Sequence, residues 1–212
     1  MPMVYQQNIN LTSRLGVWHI AETEDFFLKE HIPLGREITH PHKRLQHLAG
    51  RYLLKEMFPG FPYQLIQIAE TRKPFIQNEL YHFSISHCKD YAAAIVSTTH
   101  RVGVDVEMIT TKVLKVKHKF LGMAEQELIA QMTPVNSDYY IRLMTTAWSI
   151  KETLFKWYGD GELDFIDHLQ IEAFLIEGNT GKAFCKILKN TQVELTVYFL
   201  YFNNNCIAWV LS

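Results

Sequence analysis

Segments that read as strand, helix and further strands occur in that order twice along the 212 residues, once before about Val102 and once after it. In the first half, residues 15–20 read as a strand. Residues 43–58 read as a helix, with Leu45, Leu48, Ala49, Tyr52, Leu53 and Met57 near helical spacing and Pro59 ending it. Short extended segments follow at 64–68, 75–76 and 81–85, and Tyr91–Ser97 is an apolar run suited to a buried strand. The second half opens on the clearest strand of the chain, Val102–Met108. Helical patterns then span 112–120, 124–131 and 137–158, and strands 169–175, 184–188, 193–202 and 206–211 complete it. Asn203, Asn204 and Asn205 supply the last hairpin loop, since asparagine tolerates left-handed backbone angles. The ordering predicts an α+β protein of two lobes, 1–101 and 102–212, although no repeat is visible residue by residue.

Composition narrows what such a chain can do. Hydrophobic residues at 48% and charged ones at 20% are ordinary for a globular protein, and 13% aromatic content argues against extensive disorder. A net charge of −1 provides no basic field for nucleic acid. Cys88, Cys185 and Cys206 are odd in number and far apart, so neither a disulfide framework nor a zinc cluster is expected, and a reducing compartment is. The first residues are polar and broken by Pro2, unlike a signal peptide. No apolar run approaches the roughly 20 residues of a membrane span. A cytoplasmic protein is expected.

In Val102–Met108 the three valines and Met108 share one face, while Gly103, Asp105 and Glu107 share the other. Residues two apart on a strand lie roughly 6–7 Å from each other and point the same way. Two carboxylates can therefore converge on one hard cation, with open space beside Gly103. Oxygen-only ligands suit Mg²⁺, which keeps waters and accepts phosphate oxygens. The plain alternative is a half-buried edge strand whose acids face water. On the helix at 137–158, Trp148, Glu152 and Lys156 fall on one narrow face, flanked by Lys151 and Phe155. Ala147, Ile150, Leu154 and Trp157 fall opposite and would anchor it in the core. Glu152 can thus add a third carboxylate, and Lys156 and Lys151 cations for phosphate. A solvated amphipathic helix with a Glu152–Lys156 pair explains the charges equally, but not Trp148 on the polar face.

Gly103-Val104-Asp105-Val106-Glu107 followed by Trp148-Ser149-Ile150-Lys151-Glu152-Thr153-Leu154-Phe155-Lys156 resembles the paired signature of the 4′-phosphopantetheinyl transferase superfamily. That signature is (V/I)G(V/I)D(V/I)E, then WxxKEAxxK, and Thr153 replaces its alanine. Lys119 to Glu125 resembles the family's F-x-x-x-E element at the start of the intervening helix, Thr71-Arg72-Lys73-Pro74 its G-K-P loop, and Phe83 to Cys88 its F-N-x-S-H-S segment. Lys43-Arg44 with Ala49-Gly50-Arg51 resembles its basic first-lobe helix. Arg72, Ser84 and Cys88 depart from the pattern without touching the carboxylates.

The length is similar to the two-lobed, monomeric Sfp-type members, and the resemblance implies their fold, a pseudo-dimer of two similar α+β lobes. It implies coenzyme A binding in lobe 1–101, and magnesium and catalytic residues in lobe 102–212. It also implies the reaction: the phosphopantetheine arm of coenzyme A moves to a serine of an acyl or peptidyl carrier protein, releasing adenosine 3′,5′-bisphosphate. By the same resemblance Asp105, Glu107 and Glu152 ligate Mg²⁺. Glu152, directly or through a metal-bound water, is the base for the carrier serine. Lys156, with Lys151 nearby, neutralises phosphate charge, a need general to phosphoryl-type transfer. Lys73, Ser86 and His87 hold the nucleotide end of coenzyme A, with Arg44 and Arg51 as phosphate- or adenine-side contacts.

Other features carry less. Cys88 and His87 are adjacent, so on a strand they point to opposite faces and make no thiol–imidazole pair. His40, His42 and His47 match no zinc spacing and read as surface residues. Lys112, Lys115, Lys117, His118 and Lys119 form the one locally basic stretch, either a solvated face or a guide for an acidic carrier. Phe120 and Leu121 are equally core or docking patch. Two other functions remain open. A Mg²⁺-dependent phosphohydrolase leaves Lys73, Ser86 and His87 unexplained. A non-catalytic paralogue that binds coenzyme A or carrier has no need of the intact carboxylates and Lys156.

Overall fold

The computed structural model describes residues 3–212 except Arg36, Arg72 and the side chain of Asn78. Contacts divide the chain into Met1–Val106 and Glu107–Ser212. Each unit joins helices to an antiparallel sheet, so the chain is α+β, as the segment order predicts.

The first unit runs β1 (Met3–Asn8), β2 (Ser13–His19), α1 (Glu24–Lys29), α2 (Pro41–Met57), β3 (Ile66–Ile68), β4 (Pro74–Ile76), β5 (His82–Cys88) and β6 (Tyr91–Ser97). Its main sheet has the order β1-β2-β6-β5, and β3 pairs with β4 alone. Pro41 opens α2 at a position where its missing N–H costs nothing. Leu48, Ala49, Leu53, Leu54 and Met57 are buried along α2, which packs on β2, β6 and β5. Phe58 leaves the helix in an extended conformation, as the residue before Pro59 is biased to do. A Cβ on Gly50 would come within 2.5 Å of Ile85 Cγ2, so glycine there lets α2 settle onto β5. Strand β1 and helix α1 were not legible. The former alternates half-buried and exposed residues in a polar segment, and the latter is short and held largely by buried Phe27.

Strand β7 (Val102–Met108) carries the chain across the division. Beyond it come α3 (Lys112–Val116), α4 (Met123–Met132), α5 (Asp138–Tyr158), β8 (Leu169–Glu177), β9 (Thr180–Lys189), β10 (Thr191–Phe202) and β11 (Asn205–Leu211). The helix expected at 112–120 instead tightens into a 3₁₀ turn at Lys117–Lys119. Strands β11, β10, β9 and β8 neighbour one another in that order, with β8 at an edge. Ser137 caps α5 by accepting the Tyr140 N–H at 3.1 Å, and Gly159 ends it in the left-handed region at φ 78°. Between these ends Ala147, Ile150, Leu154 and Trp157 enter the core, as their spacing predicts. Phe120 and Leu121 join them, which decides for core over docking patch. Asn203 and Asn204 have positive φ in the final hairpin, while Asn205 already belongs to β11.

Candidate active site

Asp105 is buried on β7, and the Ser86 hydroxyl of β5 donates to its Oδ1 at 2.8 Å. Ser84, two residues earlier on the same face of β5, accepts the Val104 N–H at 3.2 Å. The serine at the position where the family pattern has asparagine thus holds the β7 backbone. Phe83, Ile85 and His87 alternate to the other face of β5. Ser86 therefore faces the carboxylate strand and His87 faces away from it.

In the second unit, Trp148 Nε1 donates to Glu107 Oε1 at 3.1 Å. The indole stands edge-on to Phe120 at 5.0 Å and stacks on Phe165 at 5.8 Å, with Phe155 on Phe165 at 5.6 Å. This resolves the aromatic on the polar face of α5: Trp148 packs through its rings and presents its one polar atom to an acid. The sequence reading gave Trp148 no role. The Asp105–Glu107 alternation and the position of Trp148 four residues before Glu152 were the signals that could have found it. Glu152 and Lys156 are both half-buried on α5.

Lys151 requires a correction. Its side chain is fully buried, and its ammonium is held by the Glu125 carboxylate at 2.6 Å, Phe165 O at 2.8 Å and Leu169 O. Three acceptors use the three N–H groups, so Lys151 does not offer a cation to phosphate as expected. Burial pulls its pKa below the ordinary lysine value, and Glu125 pulls it partly back. Glu125 also accepts the Gly122 N–H at 2.9 Å and the Ile171 N–H at 2.9 Å. Leu169 O and Ile171 N belong to edge strand β8, so the ion pair takes the place of a neighbouring strand at that edge.

In the first unit, a cavity of about 190 Å³ is lined by Gly35, His47, Arg51 and His87 over an apolar wall of Ile66, Ile68, Pro74, Phe83 and Ile85. Arg51 and His87 are thus brought together, and Pro74 brings the Lys73-Pro74 loop to the same wall. Arg72 of that loop lies outside the described residues. Ser86 and Arg44 are not in the lining: Ser86 meets Asp105, and Arg44 forms an ion pair with Glu24. His47 is half-buried and lines the cavity, a correction to its surface reading. It falls between Arg44 and Arg51 at helical spacing on α2, a signal the sequence did contain. A larger concavity of about 900 Å³ in the second unit includes Arg142, Asn179, Tyr201 and Asn204. Arg142 there already stacks on Tyr201 and bonds Asn179 at 3.1 Å.

Asp105 and Glu107 are oxygen donors fixed by a hydroxyl and an indole N–H, a chemistry that fits Mg²⁺. Among the described residues, no three His, Cys, Asp or Glu side chains form a gathered ion-holding group.

Residues 101–209, spanning β7, α5 and the final sheet, match the 4′-phosphopantetheinyl transferase superfamily. The chain belongs to that family. It is therefore a transferase of the phosphopantetheinyl kind, from a family that uses coenzyme A as substrate, typically with a divalent metal, and acts on carrier proteins. The matched span holds Asp105, Glu107, Glu152 and Lys156, while Lys73, Ser86 and His87 precede it. No curated protein matches the chain. Among the described residues, no helix is long and apolar enough to cross a membrane.

Proposed function

We propose that this phosphopantetheinyl transferase moves the 4′-phosphopantetheine arm of coenzyme A onto a serine of an acyl or peptidyl carrier protein, releasing adenosine 3′,5′-bisphosphate. The observation that carries the reading is the family match across the residues that hold both signature motifs. Asp105, Glu107 and Glu152 would hold Mg²⁺. When bound, the ion would neutralise charge on the coenzyme A pyrophosphate. Glu152 takes the proton of the carrier serine, whose oxygen forms the new bond to phosphorus. Lys156 stabilises the phosphate that leaves. The first unit holds the nucleotide end: the cavity beside Arg51 and His87 pairs an apolar wall with cationic and imidazole groups, which suits adenine and phosphate. Lys73 reaches phosphate from the loop before Pro74. The half-reaction needs positioning and charge neutralisation more than covalent help.

The test combines the protein with apo carrier protein, coenzyme A and Mg²⁺ and weighs the carrier by mass spectrometry. Gain of one phosphopantetheine, lost without Mg²⁺ and in Glu152→Gln, is expected. No gain on any of several acyl and peptidyl carriers would sink the carrier assignment, and a gain that persists in Glu152→Gln would sink the base.

A further inference from the structure

Four contacts run in series through the second unit. The Glu125 carboxylate fixes the Lys151 ammonium, which donates to Phe165 O at 2.8 Å. The Phe165 ring lies 21° from parallel with Trp148 at 5.8 Å, and Phe120 closes the indole edge-on from 5.0 Å. Trp148 then donates to Glu107 Oε1 at 3.1 Å. Phe165 lies in the segment between α5 and β8, outside any helix or strand; its ring stacks on Phe155 as well as Trp148, and its backbone carbonyl is held by an ammonium with no exposure to solvent.

We propose that the buried Glu125–Lys151 pair is a positioning device for Glu107, acting through Phe165 and Trp148 to hold that carboxylate in one rotamer before a divalent ion arrives. A glutamate left to rotate must be ordered at the moment of binding, and the lost side-chain freedom weakens the ion. Glu125, Lys151 and Trp148 are then positioning residues that touch neither substrate nor ion. The inference rests on the reading of Glu107 as an ion ligand.

The test measures Mn²⁺ binding to the full chain in the presence of coenzyme A, counting free ion by electron paramagnetic resonance, so no turnover is needed. Trp148→Phe keeps a ring in the stack and removes the donor. It weakens Mn²⁺ about tenfold, the loss of one hydrogen bond to a charged group. Lys151→Met weakens Mn²⁺ in the wild-type background but adds nothing in the Trp148→Phe background. If Lys151→Met does not fold, Phe165→Leu carries the same comparison. Glu107→Gln separates the two ideas. Unchanged binding in Glu107→Gln overturns the ligand reading and the inference with it. Weakened binding there with wild-type binding in Trp148→Phe overturns the inference alone. Effects of Lys151→Met and Trp148→Phe that simply add overturn the route through Trp148, and wild-type Mn²⁺ binding in a folded Lys151→Met confines Lys151 to stability, because a purely structural role lowers the unfolding midpoint without shifting the ion affinity of the folded protein.

Discussion

Replacing Lys151 by methionine keeps the aliphatic stem and deletes the ammonium that Glu125, Phe165 O and Leu169 O share. Removing one partner of a buried ion pair costs about 3–5 kcal/mol, because the other charge stays buried and uncompensated. Here Glu125 would still accept the Gly122 and Ile171 N–H groups, which moves its share toward the lower end. Against that, Leu169 O loses its donor at the edge of β8, and an orphaned buried carbonyl costs about 1–3 kcal/mol. The two together predict a loss of about 4–6 kcal/mol, a large part of the ~5–15 kcal/mol that stabilises a typical protein. Glu125→Gln in the same chain places a neutral amide at the position, whose oxygen can still accept from Ile171 N. The double variant Glu125→Gln/Lys151→Met is therefore less damaged than Lys151→Met by about 2 kcal/mol, since no charge is left without a partner. Equilibrium urea unfolding followed by far-ultraviolet circular dichroism measures both. A Lys151→Met loss below about 1 kcal/mol, the range of an exposed pair, would refute the burial argument. A double variant as unstable as the sum of its singles would refute the coupling.

Other consequences follow from the first unit and from the basic stretch. Burial holds the His82 pKa below the ordinary histidine value, opposed by Glu79 and reinforced by Arg101, Lys73 and His100. A histidine depressed in the folded state contributes stability above its unfolded pKa, lost as pH falls toward the folded value, so acidification below about pH 6.5 lowers the urea midpoint. His82→Asn flattens that slope, and an unchanged slope would rule His82 out. Lys112, Lys115 and Lys119 are exposed while Lys117 leans on Tyr140, so Lys112→Glu with Lys115→Glu raises KM for an acidic carrier and blunts its salt dependence, leaving kcat alone. A KM that does not move assigns those lysines to a solvated face. Arg51→Leu and His87→Ala weaken coenzyme A about tenfold or more by calorimetry, as lost charged or polar contacts do, and unchanged affinity would place the nucleotide elsewhere.

The α+β class and the core face of α5 were legible because they rest on periodicity: Ala147, Ile150, Leu154 and Trp157 repeat at helical spacing and all enter the core. Strand β1 and helix α1 were not, because what holds them is tertiary. β1 pairs with β2 through its backbone, and α1 is six residues fixed by Phe27. The helix read at 112–120 failed at its end for a related reason. The buried Phe120 and Leu121 set where the chain must turn, and apolar spacing alone does not say where helical bonding gives way to 3₁₀.

The carboxylate strand and its companion helix were legible as residues but not as an arrangement, and Lys151 shows why. Helical geometry put it beside Glu152, and angular position on a helix fixes the direction of a Cα–Cβ bond, not the depth at which a four-carbon stem ends. Its ammonium went inward because an edge strand left a carbonyl and an N–H two residues apart, a demand that only the folded β8 creates. The same limit applies to Ser86. The family resemblance grouped it with His87 on one ligand, yet strand alternation sends the two to opposite faces, one to Asp105 and one to the cavity of Arg51. Motif spacing thus located the residues proposed for the chemistry, Asp105, Glu107, Glu152 and Lys156, all within the span that matches the family. The contacts of Ser86 with Asp105, Trp148 with Glu107 and Lys151 with Glu125 are hydrogen bonds between elements far apart in the chain, which no local period encodes.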